Sequence, residues 1–342
     1  MGNEFAKTIG EGFKDKNKLT TQVSRHLMKE EVSDRRSDCI HPSEASHEHW
    51  CPRSTYYRIA GYEAVQAPRS LSMEMVFETG HDAHRKWQTW FREMGVLNGD
   101  WRCRVCSKVW SGVSPTSCPR CESGGHLIDY AEFPVSNDDY LLAGQSDGDV
   151  IRPDGTSTLI EIKTIGTGTV RYDAPNLMAK YSYHHFDDSG KIRTGVDWQA
   201  LWNGIKRPFS SHLRQGMIYC FCSGRDEITY IYDPKFITAH PKEFSVKYDR
   251  VHIEGILEQC LTVKDGLEKQ SPPDRPDWAE KSCRTCSTCP FKKECYGNDA
   301  NNRFDGPNFP KPFNSKNRFE APKLISTPAP RVRFTELTPQ SY

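Results

Sequence analysis

The 342-residue chain has no apolar run near the ~20 residues that a membrane-spanning helix needs, which excludes an integral helical membrane protein. Its opening residues, MGNEFAKTIGEGFKDK, lack the apolar stretch of a secretory signal, and no Ser or Thr stands at position 6 after the Met-Gly start. Neither export nor myristoylation is therefore expected, and the chain reads as soluble and cytoplasmic. An excess of either charge is also missing: 46 Lys and Arg against 45 Asp and Glu leave a formal +1. That excludes a histone-like grip on nucleic acid, so such a partner must meet a local basic groove. There is no internal repeat. Hydrophobic residues make up 36%, a modest share that implies a real core diluted by polar arms or loops.

What the chain does have is cysteine, thirteen in all. In a reducing compartment metal explains them better than disulfides do. Cys103-x2-Cys106 and Cys118-x2-Cys121 form two knuckles eleven residues apart in WRCRVCSKVWSGVSPTSCPRCESGG. Two short turns, each offering two thiolates, can close a tetrahedral shell around structural zinc, with Gly, Ser and Pro between them suited to a hairpin. Four unrelated cysteines are the alternative. A second cluster, SCRTCSTCPFKKEC, supplies Cys283, Cys286, Cys289 and Cys295. It is either another zinc site or, with Cys51 of HEHWCPRSTYYRIAG replacing Cys283, a set of four thiolates for a [4Fe-4S] cluster. Cys39, Cys220, Cys222 and Cys260 lack partner spacing and read as ordinary residues.

At roughly 150 residues per domain the length allows two domains or one large elaborated one. Residues 1–36 read as a charged arm, helical in part, and residues 297–342, with seven prolines, as an extended tail. The body, 37–296, carries the cysteine ribbon as an insertion at 101–125. MEMVFETGHDAHRKWQTWFREMG has helical spacing over four turns or more. AEFPVS, YLLAGQSDGDVIR and STLIEIKTIG read as strands, the last two joined by a Pro-Asp-Gly turn. SSHLRQGMIYCFC follows as a helix, EITYIYDP as a strand and HIEGILEQCLTVKDGLEKQ as a helix. This order predicts an α/β fold with a mixed sheet flanked by helices.

One constellation promises chemistry. In LIEIKT, Glu161 and Lys163 are two apart on a predicted strand and share a face, while Ile160 and Ile162 take the other. A carboxylate on so apolar a strand needs a cation or metal as partner. GQSDGDVI offers Asp147 and Asp149 across the hairpin, and two adjacent carboxylates repel unless a divalent ion bridges them. Lys163 can then orient or deprotonate a water for attack on a phosphodiester. A surface hairpin with a cross-strand Glu-Lys pair is the plainer alternative. Between Thr164 and His212, the Tyr, His and Trp residues beside Lys206 and Arg207 suit base stacking and phosphate neutralisation, or else a packed helical excursion.

From His41 to Cys295 the order of motifs resembles the RecB-like PD-(D/E)XK nucleases, within them the iron-sulfur group that includes the CRISPR-associated nuclease family and the AddB nuclease domain. HPSEAS with CPRSTYY resembles the opening segment and first cluster cysteine, Cys51. ETGHDAH resembles the Gly-x-x-x-His motif, which implies a metal-binding role for His84. GQSD is similar to the Gly-x-x-Asp strand motif and points to Asp147 over Asp149. LIEIKT resembles the (D/E)-x-K motif, implying Glu161 as metal ligand and Lys163 as catalytic lysine. RQGMIY resembles Gln-x-x-x-Tyr, placing Gln215 and Tyr219 one turn apart at the active-site side. The Cys286, Cys289 and Cys295 spacing resembles the closing cluster. The ribbon and the long Thr164–His212 stretch depart from that pattern.

The resemblance implies a restriction-endonuclease-like core and a phage or bacterial stand-alone exonuclease using Mg2+ or Mn2+ and a [4Fe-4S] cluster, beside the structural Zn2+ that the ribbon spacing alone suggests. Its partner would be DNA, single-stranded or with free ends, in recombination, replication or repair, with a recombination or helicase protein beside it and no membrane. A non-catalytic DNA-binding module with the cluster and ribbon as scaffolding is the competing class. The full His, Asp, Glu and Lys set favours the enzyme, because a binding module has no use for repelling carboxylates.

Overall fold

The computed structural model describes residues 18–27, 36–65 and 71–297; most of the charged arm and the Pro-rich tail beyond Gly297 lie outside them. In chain order the helices are α1 Leu19–Leu27, α2 Pro42–Ala45, α3 Pro52–Ile59, α4 Leu71–Glu93, α5 Thr167–Asp173, α6 Pro175–Lys180, α7 Trp198–Gly204, α8 Ser210–Ser223, α9 Glu254–Glu268, α10 Arg284–Ser287 and α11 Lys292–Tyr296. The strands are β1 Leu97–Cys103, β2 Val109–Val113, β3 Ile128–Tyr130, β4 Phe133–Asn137, β5 Leu142–Ser146, β6 Gly148–Ile151, β7 Ser157–Ile165, β8 Ser182–Phe186, β9 Ile192–Val196, β10 Glu227–Pro234 and β11 Lys242–Lys247.

Seven strands form one mixed sheet in the order β11-β10-β7-β6-β1-β2, with β3 also on β1. Only β7 and β10 run parallel among these pairs. The hairpin β6–β7 turns at Pro153-Asp154-Gly155, where Gly155 takes φ +82°. A left-handed residue is what this tight turn demands. Alternation along β7 sends Ile160 and Ile162 to one face and Leu159, Glu161, Lys163 and Ile165 to the other. Ile160 and Ile162 pack with Leu97, Trp101, Ile231 and the α4 rings of Trp87 and Phe91. Leu159 and Ile165 join a larger core with α8, α9 and the tyrosines of α3. Each such aliphatic side chain, fully buried, contributes about 1.5–3 kcal/mol. Helices thus cover both faces of the mixed sheet, as the alternating pattern predicts.

Helix α8 lies close on the sheet because Gly216 has no Cβ; one built there would collide with the Tyr230 hydroxyl. Gly224 ends the helix in the left-handed conformation.

YLLAGQSDGDVIR is not one strand but two. It changes sheets at Asp147: β5 pairs with β4, and β6 pairs with β7 and β1. The stretch from Thr164 to His212 holds α5, α6, the separate β8–β9 hairpin and α7. Its tryptophans do not offer themselves for stacking on bases: Trp202 is buried with its indole N–H on the His240 carbonyl, and Trp198 packs against Phe236. Tyr183 and Phe186 on the hairpin are exposed. No helix among the described residues is long and apolar enough to cross a membrane.

Candidate functional site

The sheet switch at Asp147 creates the site. Asp147 Oδ2 accepts the Ile162 backbone N–H at 2.5 Å, which locks the carboxylate beside β7 between Glu161 and Lys163. Its Oδ1 stands 3.1 Å from His84 Nδ1 on α4. One turn further along α4, Gln88 Nε2 donates to the Asp147 carbonyl at 3.0 Å, so the helix is pinned where it presents His84. Ligand atoms of His84, Asp147 and Glu132 all lie within 4.8 Å of one another.

Glu132 is absent from every motif in the sequence. It sits between β3 and β4 with φ +64°, a left-handed conformation that a non-glycine residue seldom adopts. No periodicity marks such a position, and the only hint is one acid heading the apolar run AEFPVS.

Beside this cluster, Lys163 Nζ bonds Glu161 Oε1 at 2.6 Å and donates to Gln215 Oε1 at 3.0 Å. Gln215 Nε2 in turn donates to the Tyr219 hydroxyl at 2.8 Å. Four residues expected at the site, Glu161, Lys163, Gln215 and Tyr219, are thus one hydrogen-bonded chain running from β7 to α8. The Asp149 carboxylate goes elsewhere: it is fully buried and held by Arg225 Nη2 at 2.5 Å and Asn98 Nδ2 at 3.0 Å.

Burial pushes the Glu132 carboxyl up to about 7, with the Asp147 charge adding to the shift. Burial likewise raises Glu161, against the opposing pull of Lys163. For His84, burial works against the imidazolium, but the hydrogen bond and charge of Asp147 outweigh it and lift the group to about 8. Burial also works against the Lys163 ammonium, and the charges of Glu161 and Asp147 outweigh it, leaving the lysine above its ordinary value. Glu161 Oε2 is buried without a hydrogen-bond partner among the described residues. Crowded carboxyls, an orphaned carboxylate oxygen and an imidazole make a donor set that suits a hard divalent cation.

The ribbon cysteines come together as their spacing predicts. Cys103, Cys106, Cys118 and Cys121 offer sulfurs within 4.8 Å of one another, with Cys103–Cys121 and Cys106–Cys118 at 3.6 Å. Backbone N–H groups of Val105 and Arg120 point at the Cys103 and Cys118 sulfurs at 3.4 Å. Strand β1 ends at Cys103, so the ribbon grows directly from the main sheet.

The distant cysteines also meet. Ser54 Oγ in α3 lies 3.6 Å from Cys289 Sγ, although 235 residues separate them. Burial raises the Cys51 thiol, and the charges of Cys289 and Cys295 raise it further. Burial lifts Cys286 to about 12, with Cys283 and Cys51 contributing. Unlike the ribbon set, these thiols do not gather within 4.8 Å. Cys283 accepts the Cys286 N–H at 3.2 Å and caps α10.

No protein-family model matches the chain. No curated protein matches it. Among solved structures it is similar to the crystal structure of SSO0001, at 13% identity and TM-score 0.32, over 81% of this chain and 94% of that one. It is also similar to an alkaline exonuclease (LHK-Exo) from Laribacter hongkongensis, at 14% identity and TM-score 0.37, over 69% and 90%. LHK-Exo in complex with dAMP gives 13% and 0.37, over 68% and 90%.

Proposed function

We propose that the chain is a divalent-metal-dependent deoxyribonuclease of the PD-(D/E)XK type, acting as an exonuclease on DNA ends in recombination, replication or repair. One observation carries the reading: a buried Glu161, paired with the half-buried Lys163, stands beside the His84, Glu132 and Asp147 cluster, and its Oε2 lacks a hydrogen-bond partner among the described residues. Carboxyls packed this closely destabilise the fold unless a cation joins them. Held by His84, Glu132, Asp147 and Glu161, magnesium or manganese would neutralise the cluster, polarise a phosphate and acidify a water.

The chain's own groups do the rest. Lys163, paired with Glu161 and bonded to Gln215, would orient or deprotonate the attacking water. Gln215 fixes the Lys163 Nζ, and Tyr219 fixes Gln215. In the same reading the ribbon quartet holds zinc, because its 3.6 Å sulfur pairs approach the ~3.8 Å edge of a tetrahedron with 2.3 Å Zn–S bonds. Cys51, Cys286, Cys289 and Cys295 hold a [4Fe-4S] cluster, whose cubane spaces its thiolates more widely than a single ion does.

The test is digestion of end-labelled single- and double-stranded DNA with magnesium or manganese. Metal-dependent cleavage is expected, lowered about 10³-fold or more in Asp147→Ala and Lys163→Ala, with DNA binding by fluorescence anisotropy nearly intact. Cleavage at the wild-type rate in both variants overturns the assignment. Binding by wild-type protein with no cleavage under any divalent ion leaves the non-catalytic module.

A further inference from the structure

Helix α8 presents one more side chain on the stripe that carries Gln215 and Tyr219. His212 precedes Gln215 by three residues, so the two share a helical face. Its half-buried ring is edge-on to Tyr232, with centroids 5.4 Å apart and planes at 83°, and lies 5.6 Å from Phe209. Tyr232 is the register partner of Lys163 across the parallel β7–β10 pair. Side chains of such partners rise on the same face, so the tyrosine that orients His212 stands next to the lysine of the site.

The hydrogen bonds of the Tyr232 hydroxyl set the tautomer of His212. The Tyr232 hydroxyl accepts the Phe209 N–H at 2.8 Å and lies 2.6 Å from His212 Nδ1. A phenol has one proton to donate. Among the described residues Nδ1 is the acceptor available to it, so Nδ1 is unprotonated and the hydrogen of the neutral ring sits on Nε2. Nε2 itself has no partner among the described residues. Burial, followed by the like charges of Lys163 and His47, holds the imidazolium well below its ordinary range. The ring is neutral, fixed in tautomer and clamped by two aromatic neighbours.

We propose that His212 contacts the substrate, its Nε2–H donating to a non-bridging oxygen of the DNA phosphate that Lys163 also faces. This inference rests on the nuclease reading above. A cationic ring beside Lys163 would be repelled, whereas a neutral imidazole adds a donor without adding charge. Such a bond strengthens as negative charge grows on the phosphate oxygens during attack, so its contribution is larger in the transition state than in the ground state. His212 transfers no proton in this role, and it makes and breaks no covalent bond.

The experiment compares His212→Ala, His212→Gln and His212→Met with wild type on end-labelled DNA under manganese, with thermal midpoints alongside. Glutamine places an amide N–H near the position of imidazole Nε2, while methionine of similar length offers none. The alanine and methionine variants are expected to cleave about 10²-fold more slowly at saturating DNA, and the glutamine variant to stay within tenfold of wild type. Wild type should also discriminate between the two phosphorothioate diastereomers at the scissile position, and methionine should erase the penalty for the isomer that sets sulfur against Nε2. The Gln–Met pair decides the matter should the alanine variant fail to fold. Wild-type cleavage by His212→Met, or equal losses in Gln and Met at unchanged midpoints, overturns the proposal alone. Failure of wild type to cleave at all overturns the nuclease reading and this inference with it.

Discussion

Asp147 and Asp149 show how two identical side chains, two positions apart, diverge when the chain changes sheets between them. Asp147 accepts an amide from β7 and faces His84. Asp149 is sealed against Arg225 and Asn98. Removing Asp149 leaves the Arg225 guanidinium half-buried without its charge partner, so Asp149→Ala is expected to cost about 2–3 kcal/mol in urea unfolding while the folded fraction keeps its cleavage rate. An inactive but fully stable Asp149→Ala protein would reverse the two roles. Glu132 allows a second prediction. If it is a cation ligand, Glu132→Gln should raise the manganese dissociation constant about tenfold or more, and manganese should raise the thermal midpoint of the variant less than that of wild type. Equal manganese affinities by calorimetry would remove Glu132 from the site. His84, Asp147, Glu161 and Lys163 were legible because short spacings put them in recognisable motifs. Glu132 was not, because a left-handed loop residue leaves no periodic trace.

Among the elements, α4 links the site to the ribbon through a single stripe. His84, Gln88 and Arg92 follow at intervals of four, facing Asp147, the Asp147 carbonyl and the carbonyls of Gly125, at the end of the ribbon, and Ile128, at the start of β3, in turn. The Arg92 guanidinium also covers the Trp101 ring at 4.9 Å. From there β3 leads within two residues to Glu132, whose carbonyl accepts the Asp100 N–H at 2.8 Å. Loosening the ribbon therefore disturbs both His84 and Glu132. Cys103→Ser is expected to release one zinc per chain, to lower the thermal midpoint of the body only slightly, and to raise the manganese concentration needed for half-maximal cleavage several-fold. An unchanged manganese requirement after zinc loss would leave the ribbon a purely local structure. The long helix, the β6–β7 hairpin, α8 and α9 were legible from period and turn chemistry. The division of YLLAGQSDGDVIR was not, because each half has the strand pattern and only the distant partners, β4 for one and β7 for the other, decide which sheet it joins. The same holds for Trp198 and Trp202, whose burial comes from Phe236 and His240, far along the chain.

For the molecule as a whole, the decisive question is what ties α3 to the segment that follows α9. Helix α3 and the residues just after it meet the segment that follows α9 through several contacts: Arg53 Nη1 donates to the Pro273 carbonyl at 2.6 Å, Tyr57 to the Glu294 carbonyl at 3.2 Å and the Val65 N–H to the Pro290 carbonyl at 3.0 Å. These are ordinary hydrogen bonds, each contributing about 0.5–1.5 kcal/mol net. A cluster bridging Cys51 to Cys286, Cys289 and Cys295 would add a constraint of another order. Closing a loop this long restricts the unfolded chain by about 5 kcal/mol, an upper bound because metal–thiolate bonds can break on unfolding. That equals the whole stability of many domains. Cys51→Ser is therefore expected to lose the brown colour and lower the melting of the entire body, whereas Cys103→Ser keeps the iron and loses only zinc. Cys283, whose sulfur caps α10, should be replaceable by serine with both metals retained. Iron, zinc and sulfide content with visible absorption, measured on each variant after anaerobic purification, reads the outcome. If Cys51→Ser keeps its full metal content while Cys283→Ser loses it, the four C-terminal cysteines hold a metal among themselves, and α3 is joined to them by hydrogen bonds and packing alone.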